Sequence, residues 1–216
     1  MNMSTGPLPD FSEWLVGDRL VIEEQNWERD KSYARKARFL QDTIEYYRLS
    51  NPTILELGCG SGWLPKELAA TFKAPFRYLG VDKNPGCIEL ARRKNQDVPY
   101  IHFVESDIRV LTTEKVDVVC AFDALKHFGL HEWGDIFRRF LDLGQIAAFN
   151  LQISDGASFD NGDRLGFHHV FVTWEMLHRI LEEEYRRLVR LEELHEIVID
   201  EVCVGVDYNI LVGERS

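Results

Sequence analysis

The sequence predicts an α/β protein with an open, mostly parallel β-sheet. Five short apolar runs have the length of buried strands, and helical segments alternate with them. The runs span residues 53–57, 76–82, 101–104, 116–122 and 145–152. The fourth run is almost entirely apolar, which is typical of the middle of a parallel sheet. Alternating strands and helices in a chain of 216 residues indicate one α/β domain with a large core, or at most two small domains.

Helical segments are predicted on both sides of the glycine-rich stretch that follows the first strand. They span residues 11–20, 25–49, 63–70, 85–93 and 133–143, with another beginning after Thr173, a candidate N-cap. In the segment 25–49, apolar residues recur at three- and four-residue spacing, and the other face carries Arg29, Lys31, Arg35, Lys36 and Arg38. Packing of the apolar face against the sheet is one interpretation. The alternative is a lid over a ligand.

Composition limits the classes of partner and compartment. The formal net charge of −11 makes a nucleic acid an unfavourable partner, because phosphate binding needs clustered Lys and Arg. The four cysteines have no C-x-x-C spacing, so neither a zinc site nor a disulfide framework is indicated. Reduced thiols and the lack of a long apolar run favour a cytoplasmic protein without a membrane segment. A small-molecule substrate fits these properties.

The glycine-rich stretch 53–62 has the sequence of a nucleotide-binding turn. A buried strand leads into Gly58, Gly60 and Gly62, and a helix begins at once. Glycines allow a ligand to approach the backbone closely, and the helix start offers unpaired N–H groups. A dinucleotide fingerprint would need a third glycine at position 63, where the chain has Trp63. A nicotinamide oxidoreductase is therefore disfavoured.

The E-x-G-x-G-x-G form beginning at Glu56 resembles motif I of class I S-adenosylmethionine-dependent methyltransferases. This resemblance implies a three-layer α-β-α sandwich with a seven-stranded, mostly parallel sheet. The last strand, predicted at 206–213, would be antiparallel and inserted between the fifth strand and a sixth strand within 188–199. Residues 1–50 would form a helical lid segment and residues 51–216 the Rossmann-like domain.

The resemblance also implies a set of residues that bind S-adenosyl-L-methionine. Asp82 lies 20 positions after Gly62, which independently fits an acid that accepts hydrogen bonds from ribose hydroxyls, although a helix N-cap is the alternative. Asp107 and Ile108 match the adenine-binding positions, and Tyr33 or Arg38 would reach the methionine end from the lid. The full predicted set is Tyr33, Glu56, Gly58, Cys59, Gly60, Gly62, Asp82, Lys83, Asp107 and Ile108.

Candidate catalytic residues follow the fourth and fifth strands. Asp123 and His127 resemble the region facing the transferable methyl group, but without the N-P-P-[YF] form of many DNA- and protein-methylating enzymes. Residues 154–169 read as a long loop at the carboxyl edge of the sheet, where open α/β folds bind ligands. His168 and His169 close this predicted substrate lid and are candidate general bases. No metal is predicted, although Asp155 and these two histidines leave a metal site open.

The predicted reaction is in-line methyl transfer to an oxygen or nitrogen of a small-molecule acceptor. Three alternatives stay open: a catalytically silent subunit that binds the cofactor or a partner, a protein- or RNA-directed methyltransferase, and an aminopropyl-transferring enzyme that uses the same pocket. The sequence does not identify the acceptor, decide between O- and N-methylation, or give the oligomeric state.

Overall fold

The computed structural model describes residues 17–29, 32–154, 156–160, 170–199 and 202–214. The helices are α1 (Asp18–Arg29), α2 (Ser32–Tyr46), α3 (Trp63–Thr71), α4 (Pro85–Lys94), α5 (Leu130–Asp142) and α6 (Trp174–Glu183), with a 3₁₀ turn at Leu125–His127. The strands are β1 (Thr53–Leu57), β2 (Arg77–Asp82), β3 (Ile101–Glu105), β4 (Val116–Ala121), β5 (Gly144–Ser154), β6 (Phe159–Asp160), β7 (Val170–Thr173), β8 (Arg186–Ile199) and β9 (Val202–Glu214).

The described strands form one mixed sheet that confirms the predicted fold class. Strands β3, β2, β1, β4 and β5 lie side by side and all pair in parallel. Strand β9 is antiparallel to both β5 and β8 and lies between them. The predicted insertion of an antiparallel last strand is therefore confirmed.

Helices cover both faces of the sheet and produce three layers. Successive residues of β1 point to opposite faces, so Ile54 joins one buried cluster and Leu55 the other. The first cluster includes residues of α2, α3 and α4, and the second includes residues of α5 and α6. Trp133 and Phe137 of α5 are stacked, with ring centroids 4.8 Å apart, in the second cluster.

Two short strands, β6 and β7, extend the sheet beyond the seven predicted strands. Gln152 and Ile153 of β5 pair with β7 and also with β9, so these two neighbours lie on opposite edges of β5. Strand β4 pairs with the first half of β5 on the edge opposite β9. Strand β7 therefore continues the position of β4 beyond its carboxyl end. The predicted loop 154–169 thus contains β6, whereas residues 155 and 161–169 lie outside the described part.

The predicted helix 25–49 is two helices, α1 and α2, on either side of residues 30–31. Helix α2 packs on the sheet through Ala37, Phe39, Leu40 and Ile44, all buried. The sequence places Lys36 on the basic face of this segment, and the structure shows that its side chain is only 6% exposed and pairs with an acid after β4. Residues 11–16 of the first predicted helix lie outside the described residues, and α1 begins at Asp18.

Helix α5 ends against a buried arginine from a distant strand. Arg186 donates hydrogen bonds to the carbonyl oxygens of Leu141, Gly144 and Gln145 at 2.7–2.9 Å. The guanidinium group thus satisfies carbonyl groups where the chain passes from α5 to β5.

Within the described residues, no helix is long and apolar enough to cross a membrane. Cys59, Cys87 and Cys120 are buried free thiols.

Candidate active site

The glycine-rich turn between β1 and α3 adopts a left-handed backbone. Gly58, Gly60 and Gly62 have φ angles of 70°, 51° and 73°, a region that favours glycine. A Cβ atom added to Gly58 would overlap the Cβ atom of Ala124. The backbone N–H groups of Gly58 and Cys59 donate to the Val81 carbonyl oxygen at 2.8 and 3.0 Å. The turn is therefore held against the end of β2 and leaves no room for a side chain at Gly58.

Asp82, at the end of β2, stabilises the same turn. Its carboxylate accepts hydrogen bonds from the Gly60 N–H at 2.9 Å and from the Asn84 N–H at 2.8 Å. Asn84 in turn caps α4, accepting from the Cys87 N–H at 3.1 Å. Asp82 and the neighbouring Lys83 are half-buried. The predicted ribose-binding acid thus lies beside the glycine turn, and Asn84 takes the N-cap role that was the alternative for Asp82.

Glu56 lies beneath the turn and is 2% exposed. The Tyr78 hydroxyl donates a hydrogen bond to its carboxylate. Burial raises the pKa of Glu56 to about 8, although the Tyr78 hydrogen bond and the nearby Lys36 charge act in the opposite direction. Burial likewise raises the pKa of the Cys59 thiol well above its ordinary value. The folded chain therefore holds a neutral carboxyl group under the turn at neutral pH.

Asp107 and Ile108 follow β3 at the same edge of the sheet. The Asp107 carboxylate accepts from the Arg109 N–H at 2.8 Å and pairs with the Arg109 guanidinium at 2.9 Å. The same guanidinium pairs with Glu132 at 2.7 Å and lies 5.0 Å from the centroid of the Phe128 ring. Ile108 is buried. Asp107 is thus fixed by Arg109, in a position adjacent to the ends of β2 and β3.

Helix α1 is attached to the glycine turn through Lys94 of α4. The Lys94 ammonium donates to the Ser61 hydroxyl at 3.1 Å, pairs with Glu24 of α1, and lies 3.6 Å from the centroid of the Trp63 ring. Glu24 Oε2 is buried without a hydrogen-bond partner among the described residues. Tyr33 of α2 is half-buried, with the Lys36 ammonium 4.5 Å from its ring centroid. The N-terminal helices therefore border the turn.

Asp123, which follows β4, is held by two lysines. Its φ angle is 61°, and its N–H donates to Asn150 Oδ1 at 2.5 Å. Its carboxylate pairs with Lys36 and, at 2.8 Å, with Lys126. Burial alone would raise the pKa of this carboxyl, but the Lys126 and Lys36 charges outweigh burial and hold it well below the ordinary value. Asp123 is therefore ionised at neutral pH and is a weak base.

A polar pocket of about 480 Å³ opens next to Asp123. It is lined by Ser32, Arg35, Lys36, Asp123, Lys126, Asn150, Gln152, Leu194, Asp207 and Asn209. The register pairs Asn150 with Asn209 and Gln152 with Asp207 across β5 and β9. Because alternate residues of a strand share one face, these four side chains form the floor of the pocket. The pocket lies at the carboxyl end of β5, where open α/β folds bind ligands.

The structure places the other predicted catalytic residues less completely. His127 ends the 3₁₀ turn after β4 and is half-buried. His168 and His169 lie outside the described residues, as does Asp155. Among the described residues, no group of three or more His, Cys, Asp or Glu side chains is arranged to hold a metal ion.

Of the pocket residues, sequence reasoning identified only Asp123 as a site residue; those it missed include Lys36, Lys126, Asn150, Gln152, Asp207 and Asn209. A signal for four of them was present. Two otherwise apolar strands carry polar residues at alternate positions, Asn150 and Gln152 in one, Asp207 and Asn209 in the other. A lone polar residue in a buried strand has many explanations, but a spaced pair on one face indicates a polar cavity.

The sequence profile described as "Methyltransferase domain" matches residues 54–144. This range runs from β1 to the start of β5 and includes the glycine turn, Asp82, Asp107 and Asp123. Over this range the chain is similar to S-adenosylmethionine-dependent methyltransferases. Solved structures of the same fold carry bound S-adenosylmethionine or S-adenosylhomocysteine.

One curated relative shares part of the methyltransferase sequence. Malonyl-[acyl-carrier protein] O-methyltransferase of Halalkalibacterium halodurans is 29% identical over 83 residues, which make up 38% of this chain. The chain covers only 30% of the length of that relative. This similarity therefore supports the domain assignment and does not identify the acceptor.

Solved methyltransferases share the fold along most of the chain. Magnesium protoporphyrin IX methyltransferase of Synechocystis PCC 6803, with bound S-adenosylmethionine, has a TM-score of 0.65 and 15% identity, covering 85% of this chain and 80% of that one. The 1,6-didemethyltoxoflavin-N1-methyltransferase of Burkholderia thailandensis, with bound 1,6-didemethyltoxoflavin and S-adenosylhomocysteine, has a TM-score of 0.64 and 16% identity. That comparison covers 98% and 94% of the two chains. At these identities the comparison shows the fold.

Proposed function

We propose that the protein transfers a methyl group from S-adenosylmethionine to an oxygen or nitrogen atom of a small-molecule acceptor. One observation carries this proposal: the glycine turn and the polar pocket lie at the same edge of the sheet, after β1 and β5. The Burkholderia neighbour, which binds a small heterocyclic compound, supports an acceptor of this size. The net charge of −11 disfavours a nucleic acid acceptor.

The residues around the turn fit the cofactor. Gly58, Gly60 and Gly62 would surround its methionine part, where the backbone comes close because side chains are absent. Asp82 would accept hydrogen bonds from the ribose, and Asp107 with the Ile108 N–H would bind the adenine. Glu56 would interact, directly or through water, with the ammonium group. Lys83, Cys59 and Tyr33 complete the proposed set, which follows the family resemblance and the placement of these residues at one edge.

The cofactor supplies an electrophilic methyl group on a positively charged sulfur. The protein must therefore align the acceptor with that group and exclude water, and such positioning contributes on the order of 7–11 kcal/mol. Asp123 follows β4 beside the pocket, where its ionised carboxylate would orient an acceptor hydroxyl or amine. Its lowered pKa makes it a poor general base. A base for a hydroxyl acceptor, worth roughly 10²- to 10⁴-fold, would come from His127, His168 or His169.

We also propose that residues 1–50 act as a lid over the cofactor. Helix α1 is tied to the turn by the Glu24–Lys94 ion pair, and α2 supplies Lys36 and Arg35 to the pocket. The N-terminal helices thus contact the cofactor side and the acceptor side together. An equivalent role for the loop 154–169 follows from its position after β5.

Calorimetric titration with S-adenosylhomocysteine tests the cofactor site. Wild-type protein should bind it, and Asp82→Ala should weaken binding at least tenfold because the ribose loses its acceptor. Asp97→Ala is the matched control, since Asp97 is exposed after α4 and its loss should leave affinity unchanged. No binding by the wild-type protein would contradict the proposal.

Transfer from methyl-labelled S-adenosylmethionine to pooled metabolites, RNA and protein tests the activity. Label in the metabolite fraction is expected. Label only in protein or RNA would replace the small-molecule acceptor with a macromolecule. Binding of the cofactor without label in any fraction would favour a silent cofactor-binding subunit.

A further inference from the structure

We infer that the acceptor is an uncharged, polyhydroxylated small molecule, such as a sugar or a cyclic polyol, bound in the polar pocket. This inference rests on the proposed methyl transfer and names the substrate class of the same site. Three observations support it: the chemistry of the pocket floor, a carboxamide oxygen in that floor without a hydrogen-bond partner among the described residues, and the balance of charges around the pocket.

The sheet face that forms the pocket floor changes chemistry along its length. Near the start of β5, this face of the β5–β9 pair carries Ile146, Ala148 and Leu211, which are buried in the core under α2. Towards the carboxyl end of β5, which pairs with the amino-terminal half of β9, the same face carries carboxamides and a carboxylate. The four side chains are Asn150, Gln152, Asp207 and Asn209, each 4% exposed or less. Burial of polar groups without partners is unfavourable, so this part of the face is suited to a polar ligand rather than to packing.

One side-chain oxygen in the pocket floor lacks a partner among the described residues. Gln152 is 4% exposed and lines the pocket, and its Oε1 has no hydrogen-bond partner in that part of the chain. Oδ1 of the neighbouring Asn209 is likewise without one in the described chain. A carboxamide both donates and accepts hydrogen bonds, as does a hydroxyl group. A ligand with several hydroxyls would satisfy both the carboxamides and the charged groups at the wall.

Charges around the pocket balance in pairs. Lys36 and Lys126 pair with Asp123, and the negative charge of Asp207 also favours the protonated form of Lys126. Arg35 pairs at 2.7 Å with Glu192. Glu192 belongs to β8 and is not one of the residues that line the pocket. A charged acceptor would have to disrupt one of these pairs, which is costly for the pairs that Asp123 forms with Lys36 and Lys126, because these lysine side chains are only 6% and 16% exposed. An acceptor without net charge leaves them intact.

The lining disfavours planar and fatty acceptors. Among the described residues of the lining, Leu194 is the one aliphatic side chain and none is aromatic. Pockets for heterocycles or acyl chains are lined mainly by apolar and aromatic side chains. Methylation of a hydroxyl here would form an O–CH₃ bond as the S–CH₃ bond breaks, with its electron pair remaining on sulfur and the hydroxyl proton leaving to a base or to water.

A methyl-transfer panel tests this inference with the full chain. The probes are D-glucose, myo-inositol and ribitol, compared with malonate, benzoate, quinoline and octanoate, each with labelled S-adenosylmethionine. The uncharged polyols are expected to exceed the acids and the heterocycle in initial rate at least tenfold. Gln152→Leu, which replaces the carboxamide with a side chain of similar size, should lower kcat/KM for the best polyol at least tenfold. The variant should bind S-adenosylhomocysteine with unchanged affinity.

Gln145→Leu is the matched control because it is the same substitution on β5 at an exposed position, and its kcat/KM should equal that of the wild-type protein. Faster transfer to an acid, a heterocycle or the fatty acid would overturn the inference. Polyol turnover that is unaffected by Gln152→Leu would overturn it as well. Cofactor binding without transfer to any polyol would refute the polyol acceptor while leaving the cofactor site in place, whereas loss of cofactor binding in the wild-type protein would refute the proposed function itself.

Discussion

Replacing Glu56 with glutamine should remove a pH-dependent destabilisation of the folded protein. The carboxyl group is 2% exposed, and burial raises its pKa from 4.5 to about 8. Between these two values the folded state binds more protons than the unfolded state, so rising pH favours unfolding. One pKa unit corresponds to ~1.4 kcal/mol. Integration from pH 5 to pH 8 gives a loss of roughly 3–4 kcal/mol in the free energy of unfolding of the wild-type protein relative to Glu56→Gln.

Urea denaturation of both proteins at pH 5, 6, 7 and 8 measures this difference. Titration of other groups is common to both proteins and cancels in the comparison. Glu89→Gln is the control, because Glu89 is exposed on α4 and its variant should follow the wild-type protein at every pH. A difference between wild type and Glu56→Gln that stays constant within about 1 kcal/mol across the range would refute the raised pKa, since one unit is ~1.4 kcal/mol.

Three further substitutions test other contacts of the site. Asp123→Asn should keep the backbone conformation, since asparagine tolerates positive φ, but it removes the carboxylate that pairs with two lysines. We expect the free energy of unfolding measured by urea denaturation to fall by roughly 2–4 kcal/mol. This is below the full range for buried pairs because the carboxylate is 36% exposed. A loss under ~1 kcal/mol would contradict the importance of the ion pairs. Gly58→Ala places a methyl group against a neighbouring Cβ at φ 70°; it should cost roughly 1–3 kcal/mol and abolish calorimetric binding of S-adenosylhomocysteine, and retained affinity would argue against close backbone contact. Lys94→Met removes the partner of Glu24, so a glutamate-specific protease should cleave within α1 several-fold faster, whereas equal cleavage rates would show that α1 is held by other contacts.

The succession of the central strands along the chain could be predicted because each strand is short, apolar and followed by recognisable helix or turn signals. Asn84 and Thr173 are N-caps whose side chains accept backbone N–H groups, and Pro85 begins a helix as expected at a first position. The small strands β6 and β7 could not be predicted. Strand β6 has two residues and pairs with β7. Strand β7 in turn pairs with the carboxyl end of β5, and neither pairing depends on a local sequence pattern.

The cofactor side of the site follows from local sequence, whereas the acceptor side depends on long-range pairing. Glycine spacing and the acids after β2 and β3 are close in sequence to the strands that position them. In the sequence, Lys36 lies among other basic residues on one face of a helix. It is buried because it pairs with Asp123, which is 87 positions away in the chain. Likewise, Asn150 and Asn209 become neighbours only through the register of β5 with β9. The local periodicity of apolar residues in the sequence does not indicate these long-range contacts.

The position of β9 has a consequence for biosynthesis. This strand comes after all the other described elements in the chain, yet it lies between β5 and β8 and supplies Asp207 and Asn209 to the pocket floor. During translation, the glycine turn and its acids are complete long before β9 emerges from the ribosome. Until then β5 has an unpaired edge, and nascent chains exposing such an edge are prone to aggregation. The proposed acceptor pocket is therefore completed only after the glycine turn has formed.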